Sequence, residues 1–292
     1  MRIDLFIIDG QNDFCDPNGS LYVQNADKEV QKIADMLARL ADPNISTGHK
    51  ISKIHATLDS HHRLDGAHNI SWKDGTTGKE VPPFTIVSHQ DILDQKYIPA
   101  FYMGVWEGKV IPSLEWAKNY TKALEDYGRN PLCLWPPHCE IGTHGQCIHP
   151  VLNKAYNNWC DITKGWINFI TKGSWVWTEH YSAIKADVPD PTRPETQLNA
   201  AVVNDAANAD IVLWGGWASS HCLRWTAKDA VDMFGKKDNE FVKKSVFLTD
   251  VAAHVVSPDQ SLTDLFIQWK EEFFQEMKDR GATLTTTTKF LT

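Results

Sequence analysis

Long hydrophobic runs are missing from this chain. No stretch approaches the roughly 18 consecutive apolar residues that a helix needs to cross a bilayer, so a membrane is not an expected partner. A surplus of positive charge is missing as well. Against 37 Asp and Glu stand only 29 Lys and Arg, a formal charge of -8 with no Lys/Arg run to offset it. Such a surface repels a phosphate backbone, and nucleic acid is not an expected partner either. The six cysteines (Cys15, Cys133, Cys139, Cys147, Cys160, Cys222) include no pair spaced C-x-x-C, which argues against a zinc site built from cysteines alone. Glycine and proline are sparse, at 17 and 14 of 292 residues, which excludes a collagen-like or wholly disordered chain.

What remains is a globular composition, 42% hydrophobic and 23% charged, with 12 tryptophans as its one unusual count. The length allows two domains of about 150 residues, or one α/β domain with an insertion. A chain of this size buries a core without covalent staples, so the cysteines are expected as thiols in a reducing compartment. The N-terminus MRIDLFIIDG enters strand-like residues directly, and the expectation is a cytoplasmic protein without a targeting peptide.

Short apolar runs bounded by turn residues alternate with amphipathic stretches. Strands are expected at 5–8, 53–58, 165–170, 211–215 and 245–248, and helices at 27–41, 197–208 and 223–234. A late helix over 262–280, closed by Gly281, leads into ATLTTTTKF as a final strand. This order predicts a three-layer α/β/α fold on a mostly parallel sheet. Residues 78–130 break the alternation, with four prolines, many aromatics, one helical stretch at 114–127 and no clear strand. The reading is a single domain over 1–292 with an insertion at about 78–130. Trp159, Trp166, Trp214 and Trp225 are expected in the core, His55 and His62 in solvent.

In open α/β sheets ligands bind beyond the carboxyl ends of the strands. Asp9 follows the first strand, Asp59 and His61 the second, Lys172 the third, and GGWASSHC, ending in Cys222, the fourth. Cys222 stands where a strand gives way to a helix, a position whose free N–H groups favour a thiolate, and a nearby lysine would favour it further. An aspartate within reach accepts a thiol proton and returns it to a leaving amine. Asp59 and His61, two apart, can face one ion, with His138 or His68 completing a mixed N/O site.

Together these residues resemble the nicotinamidases of the isochorismatase-like cysteine hydrolase superfamily. The matching segments are FIIDGQNDFCDPNGSL at 6–21, TLDSHHRLDGAHNIS at 57–71, WPPHCEIGTHG at 135–145, TKG with HYSAI within 171–184, and GGWASSHCLRWTAKDA at 215–230. The resemblance implies the isochorismatase-like hydrolase fold, a triad of Asp9, Lys172 and nucleophilic Cys222, and a cis peptide at Trp217-Ala218 that helps aim backbone N–H groups, Cys222's included, at an oxyanion. It implies Asp59, His61 and His138 as ligands of one divalent metal, zinc before iron or manganese, with His68 as a fourth ligand in some members. Phe14 and Trp135 match aromatics that sandwich the pyridine ring, and the metal holds the ring nitrogen. Departures are Ser220 for a common aspartate, His221 for a frequent aromatic, and Gly10 for a small branched residue.

The implied activity is hydrolysis of nicotinamide to nicotinate and ammonia through a cysteine thioester, with pyrazinamide as a further substrate and a homo-oligomer as the expected assembly. A related cysteine hydrolase for another carboxamide, or a non-catalytic metabolite-binding member of the fold, are the alternatives.

Overall fold

A computed structural model describes residues 1–44, 50–235 and 239–291. Six parallel strands form the central sheet in the order Thr283–Thr285, Ser245–Leu248, Ile211–Gly216, Ile3–Ile8, Ile51–Asp59 and Ile167–Lys172. Buried on both faces, Ile3–Ile8 reads as an unbroken apolar run, as a central parallel strand should. From this strand the chain winds outward to Ile51–Asp59 and Ile167–Lys172, then returns to Ile211–Gly216 on the opposite flank. That reversal opens a crevice at the carboxyl ends of the strands.

Val30, Ile33, Leu37 and Leu40 give the Ala26–Ala41 helix its buried stripe. The late helix, Gln260–Asp279, is capped by Asp259, whose side chain accepts from the Ser261 N–H, and Gly281 follows it at φ +104°. The longest helix to escape the sequence reading, Pro150–Thr163, begins at a favourable N-terminal proline and buries Leu152, Ala155, Tyr156 and Trp159, but Asn157 and Asn158 interrupt its pattern. No helix among the described residues is long and apolar enough to cross a membrane.

Two expectations are corrected. Trp166 is 65% exposed, because the strand starting at Ile167 is the sheet edge; its ring carries the Lys53 ammonium at 4.6 Å instead of core atoms. His55 is fully buried, stacked on Phe6 at 4.3 Å, with Nε2 3.4 Å from Asp4. Arg2 and Lys53 balance the carboxylates around it, Asp4 and Asp205.

Residues 78–130 hold more regular structure than expected. Short strands Thr85–Val87, Tyr97–Pro99, Met103–Trp106 and Lys109–Pro112 accompany the helices His89–Leu93 and Ser113–Asp126. Strands of three or four residues fall below what period-two patterning can reveal. Around the Ser113–Asp126 helix gathers a second cluster of buried side chains, including Trp72, Trp116, Tyr120, Leu124 and Leu134.

Arg129, just beyond that helix, ties this segment to the sheet side of the molecule. Its guanidinium donates to Asp229 at 2.8 Å, lies 3.4 Å from Asp187 and covers the Trp225 ring. Burial pushes the Asp187 carboxyl from 3.8 up to about 7, against the pull of Arg129. A raised folded-state pKa means that stability is held below 3.8 and lost as pH climbs towards 7. Relative to the parent, Asp187→Asn should therefore gain stability with rising pH. Urea unfolding of both proteins at about pH 5 and about pH 7.5 measures it; a difference independent of pH would show Asp187 ionised throughout.

Candidate active site

The crevice collects Asp9, Asp59 and Lys172 from the ends of three neighbouring strands, the last of them the sheet edge. Asp59 and Lys172 are register partners at the ends of adjacent strands, and Ile8 pairs with Gly216 across the switch point. Gly216 is required there: at φ +124°, a Cβ would strike the Ile8 main chain. The chain then passes through a cis peptide at Trp217-Ala218 to the Cys222–Asp232 helix.

Asp9, Lys172 and Cys222 meet in the interior. The Lys172 ammonium lies 2.9 Å from Asp9 Oδ2, 3.0 Å from Asp59 Oδ1 and 3.6 Å from Cys222 Sγ. Thr57 holds Asp9 from both sides, donating to Oδ1 and accepting from the Asp9 N–H at 2.9 Å. Burial pushes the Asp9 carboxyl up, with Lys172 opposing and Asp59 reinforcing. Lys172 stays charged: burial works against its ammonium, and Asp59 and Asp9 override it.

Cys222 departs from the thiolate expected at a helix N-terminus beside a lysine. Burial drives its thiol well above the usual range, Lys172 pulls it down, and Asp9 and Asp59 add to the rise. The net shift favours the protonated sulfur, which lies within hydrogen-bond reach of Asp9. At the start of this helix the His221 and Leu223 N–H groups donate to the Ala218 carbonyl, which leaves the Cys222 N–H placed to receive developing negative charge.

Beside the triad stand three imidazoles. Ligand atoms of His61, His68 and His138 lie within 4.8 Å of one another. Each Nδ1 is engaged on the far side of its ring, with Asp65 Oδ2 at 3.1 Å, the Arg63 carbonyl at 3.0 Å and the Pro136 carbonyl at 2.9 Å respectively. A ring whose Nδ1–H donates to such an acceptor turns an Nε2 lone pair to its other side. The His61 and His138 Nε2 atoms face Asp59 Oδ2 at 3.0 and 3.4 Å, while that of His68 is buried without a partner. Lone pairs gathered around a carboxylate oxygen are mutually repulsive unless a cation lies between them, so the donor set fits a divalent metal. Segment 135–140 is held in place by main-chain bonds, His61 N–H to Cys139 and Trp135 N–H to Ala67, and by the Cys139 N–H donating to Asp13 at 2.6 Å.

Phe14, Trp135, Tyr181 and Cys222 line a small cleft with Asp59 and His138. Trp135 donates its indole N–H to Tyr181 Oη at 3.0 Å, and Phe84 packs edge-on against it. Three further residues escaped the sequence reading as site groups. Glu179 faces the same cleft, its carboxyl pushed up to about 8 by burial. Thr57, two residues before Asp59, shares its side of the strand, and Asp65, four after His61, orients that ring. The i, i+2 spacing of Thr57 and Asp59 was the available signal; Glu179, on an irregular segment, offers none.

No protein-family model matches the sequence, and no curated protein matches it. Solved structures do. The Acinetobacter baumanii nicotinamidase/pyrazinamidase matches at 21% identity over 98% of this chain and 96% of its own, with a TM-score of 0.58. Yeast nicotinamidase bound to the inhibitor nicotinaldehyde matches at 19%, over 98% and 100%, with a TM-score of 0.58. A Pyrococcus horikoshii pyrazinamidase in complex with zinc matches at 18%, over 97% and 98%, with a TM-score of 0.51. This chain therefore has the isochorismatase-like α/β fold. Within that fold it is structurally similar to nicotinamidases and pyrazinamidases over nearly its whole length.

Proposed function

We propose that this protein is a nicotinamidase: a cysteine amidohydrolase that converts nicotinamide to nicotinate and ammonia and also accepts pyrazinamide. The observation that carries the reading is the convergence of Asp9, Lys172 and Cys222 in one buried cluster, with an aromatic-walled cleft beside it. Asp9 takes the Cys222 proton as sulfur attacks the carboxamide carbon, and Lys172 offsets the charge on both partners. Helix N–H groups receive the oxyanion. Asp9 returns its proton to the nitrogen, the C–N bond breaks and ammonia departs, leaving a thioester on Cys222. Asp9 then takes a proton from water, the hydroxide adds to the thioester, and Cys222 leaves and is reprotonated by Asp9 as nicotinate forms.

Phe14 and Trp135 hold the pyridine ring. Asp59, His61, His68 and His138 would hold a divalent cation, zinc before iron or manganese, which supplies Lewis acidity at the ring side of the cleft. The structurally similar proteins solved with zinc and with nicotinaldehyde support this reading.

A second reading, hydrolysis of a different carboxamide, is favoured by the Phe84 ring against Trp135, which brings the 78–130 segment up to the ring-binding wall. Ammonia release from nicotinamide, pyrazinamide and aliphatic amides, with metal content measured on the same sample, tests both. Turnover confined to pyridine and pyrazine carboxamides is expected, with loss on chelation and recovery on adding a divalent ion. Release from aliphatic amides alone would favour the second reading, and no release by the metal-replete protein would end both.

A further inference from the structure

A second cleft opens between the hairpin formed by Met103–Trp106 and Lys109–Pro112 and the segment that follows Lys172. Its walls are the rings of Trp106, Tyr127, Trp175 and Trp177, and the carboxylates of Glu107 and Asp190 share the lining. Two of these walls, Trp106 and Trp177, are built before any ligand arrives. Trp177 packs edge-on against Phe101 at 5.2 Å and Trp116 at 5.5 Å, its carbonyl accepts the Trp116 indole N–H at 3.2 Å, and Trp106 packs on the same cluster. Preorganised walls spare a ligand the ordering cost.

The chemistry of the lining selects the occupant. Two carboxylates repel an anion, and aromatic ring faces attract a cation through their quadrupole. Trp175 already shows that preference, with the Arg193 guanidinium carbon 3.8 Å from its ring centroid. Asp190 is fixed: Oδ1 accepts from the Thr192 N–H at 2.8 Å and hydroxyl at 2.7 Å, and Oδ2 lies 3.4 Å from the Gly108 N–H. Glu107, in the exposed hairpin turn, has no ion-pair partner among the described residues. A primary ammonium brings three N–H donors and needs acceptors; Asp190 has largely spent its oxygens on Thr192 and Gly108, which leaves Glu107 alone to serve three donors. An alkylated nitrogen needs none. We propose that this cleft is a second binding site, selective for a small organic cation of the quaternary-ammonium class.

The two clefts stand back to back. Thr178 lines this one, and the next residue, Glu179, lines the cleft of Cys222. Binding is nevertheless measured without turnover, so its outcome is independent of the amidohydrolase reading.

The test titrates the full-length protein with choline and with dimethylbutanol, its neutral carbon isostere, following tryptophan fluorescence and calorimetry. Choline should bind saturably and at least about tenfold more tightly than the alcohol, the range expected of a partly desolvated cation–aromatic contact. Trp106→Leu and Glu107→Gln should each weaken choline roughly three- to thirtyfold. Glu107→Gln alters an exposed turn residue and keeps the test valid if Trp106→Leu fails to fold. Equal affinity for choline and the alcohol, absence of saturable choline binding, or a Glu107→Gln variant that binds choline as the parent does would overturn the proposal.

Discussion

Cys222→Ala is expected to remove ammonia release from nicotinamide, with kcat falling by at least about three orders of magnitude, because the thioester route has no substitute nucleophile. Five other thiols are present, yet none can take over. Cys15, Cys133 and Cys139 are buried with their pKa values driven well up by desolvation, and among the described residues no lysine donates to their sulfurs as Lys172 does to Cys222. Cys147 and Cys160 lie away from the crevice, on the turn before and within the Pro150–Thr163 helix. The substitution deletes a single sulfur from a 7% exposed position, so the fold should persist and nicotinamide should still bind. Binding without turnover, read by calorimetry beside the ammonia assay, separates loss of the nucleophile from loss of the cleft. Residual turnover above about a tenth of the parent would mean that water is attacking the carboxamide directly, and Cys222 would then be a packing residue.

Much of this site is legible in the sequence because the scaffold is parallel. Buried strands such as Ile3–Ile8 announce themselves as apolar runs, and the residue after each run falls at the crevice; Asp9, Asp59 and Lys172 follow from that rule together with the strand order. What the sequence hides is set by contacts between distant segments. His55 looks like a surface histidine until Phe6 and Asp4 are placed beside it by strand pairing. Trp166 looks like core until its strand proves to be the edge. His68 reads as an optional ligand, whereas its Nε2 lies with those of His61 and His138 because the Trp135 main chain pairs with His68. The protonation of Cys222 is the deepest case. Helix terminus and lysine are visible in the sequence and favour thiolate, but desolvation and the carboxylates of Asp9 and Asp59 act only once the chain has folded, and they win.

Lys172→Met provides the sharpest test of that charge balance. Among the described residues, Lys172 is the one side-chain cation in contact with Asp9, Asp59 and Cys222 together, at 2% exposure. Methionine keeps the approximate volume, so packing changes little, while two buried carboxylates lose their counter-charge. Breaking a buried pair in this way costs about 3–5 kcal/mol, which corresponds to a fall in Tm of roughly 5–15 °C for a domain of this size. Turnover should disappear with it, since the thiol then has two carboxylates and no cation beside it. Alkylation of Cys222 by iodoacetamide should slow, and its half-maximal pH should rise, because the cation pulling the thiol down has gone. The two readouts discriminate between states of Asp9. A variant as stable as the parent would mean that Asp9 carries a proton at rest and that His61 alone balances Asp59, so that neither carboxyl loses much when the lysine goes. A protonated Asp9 cannot accept from Cys222, and Glu179, the other buried carboxyl facing the cleft, is pushed up to about 8 and cannot replace it at neutral pH, so such a result would end the acid–base role given to Asp9.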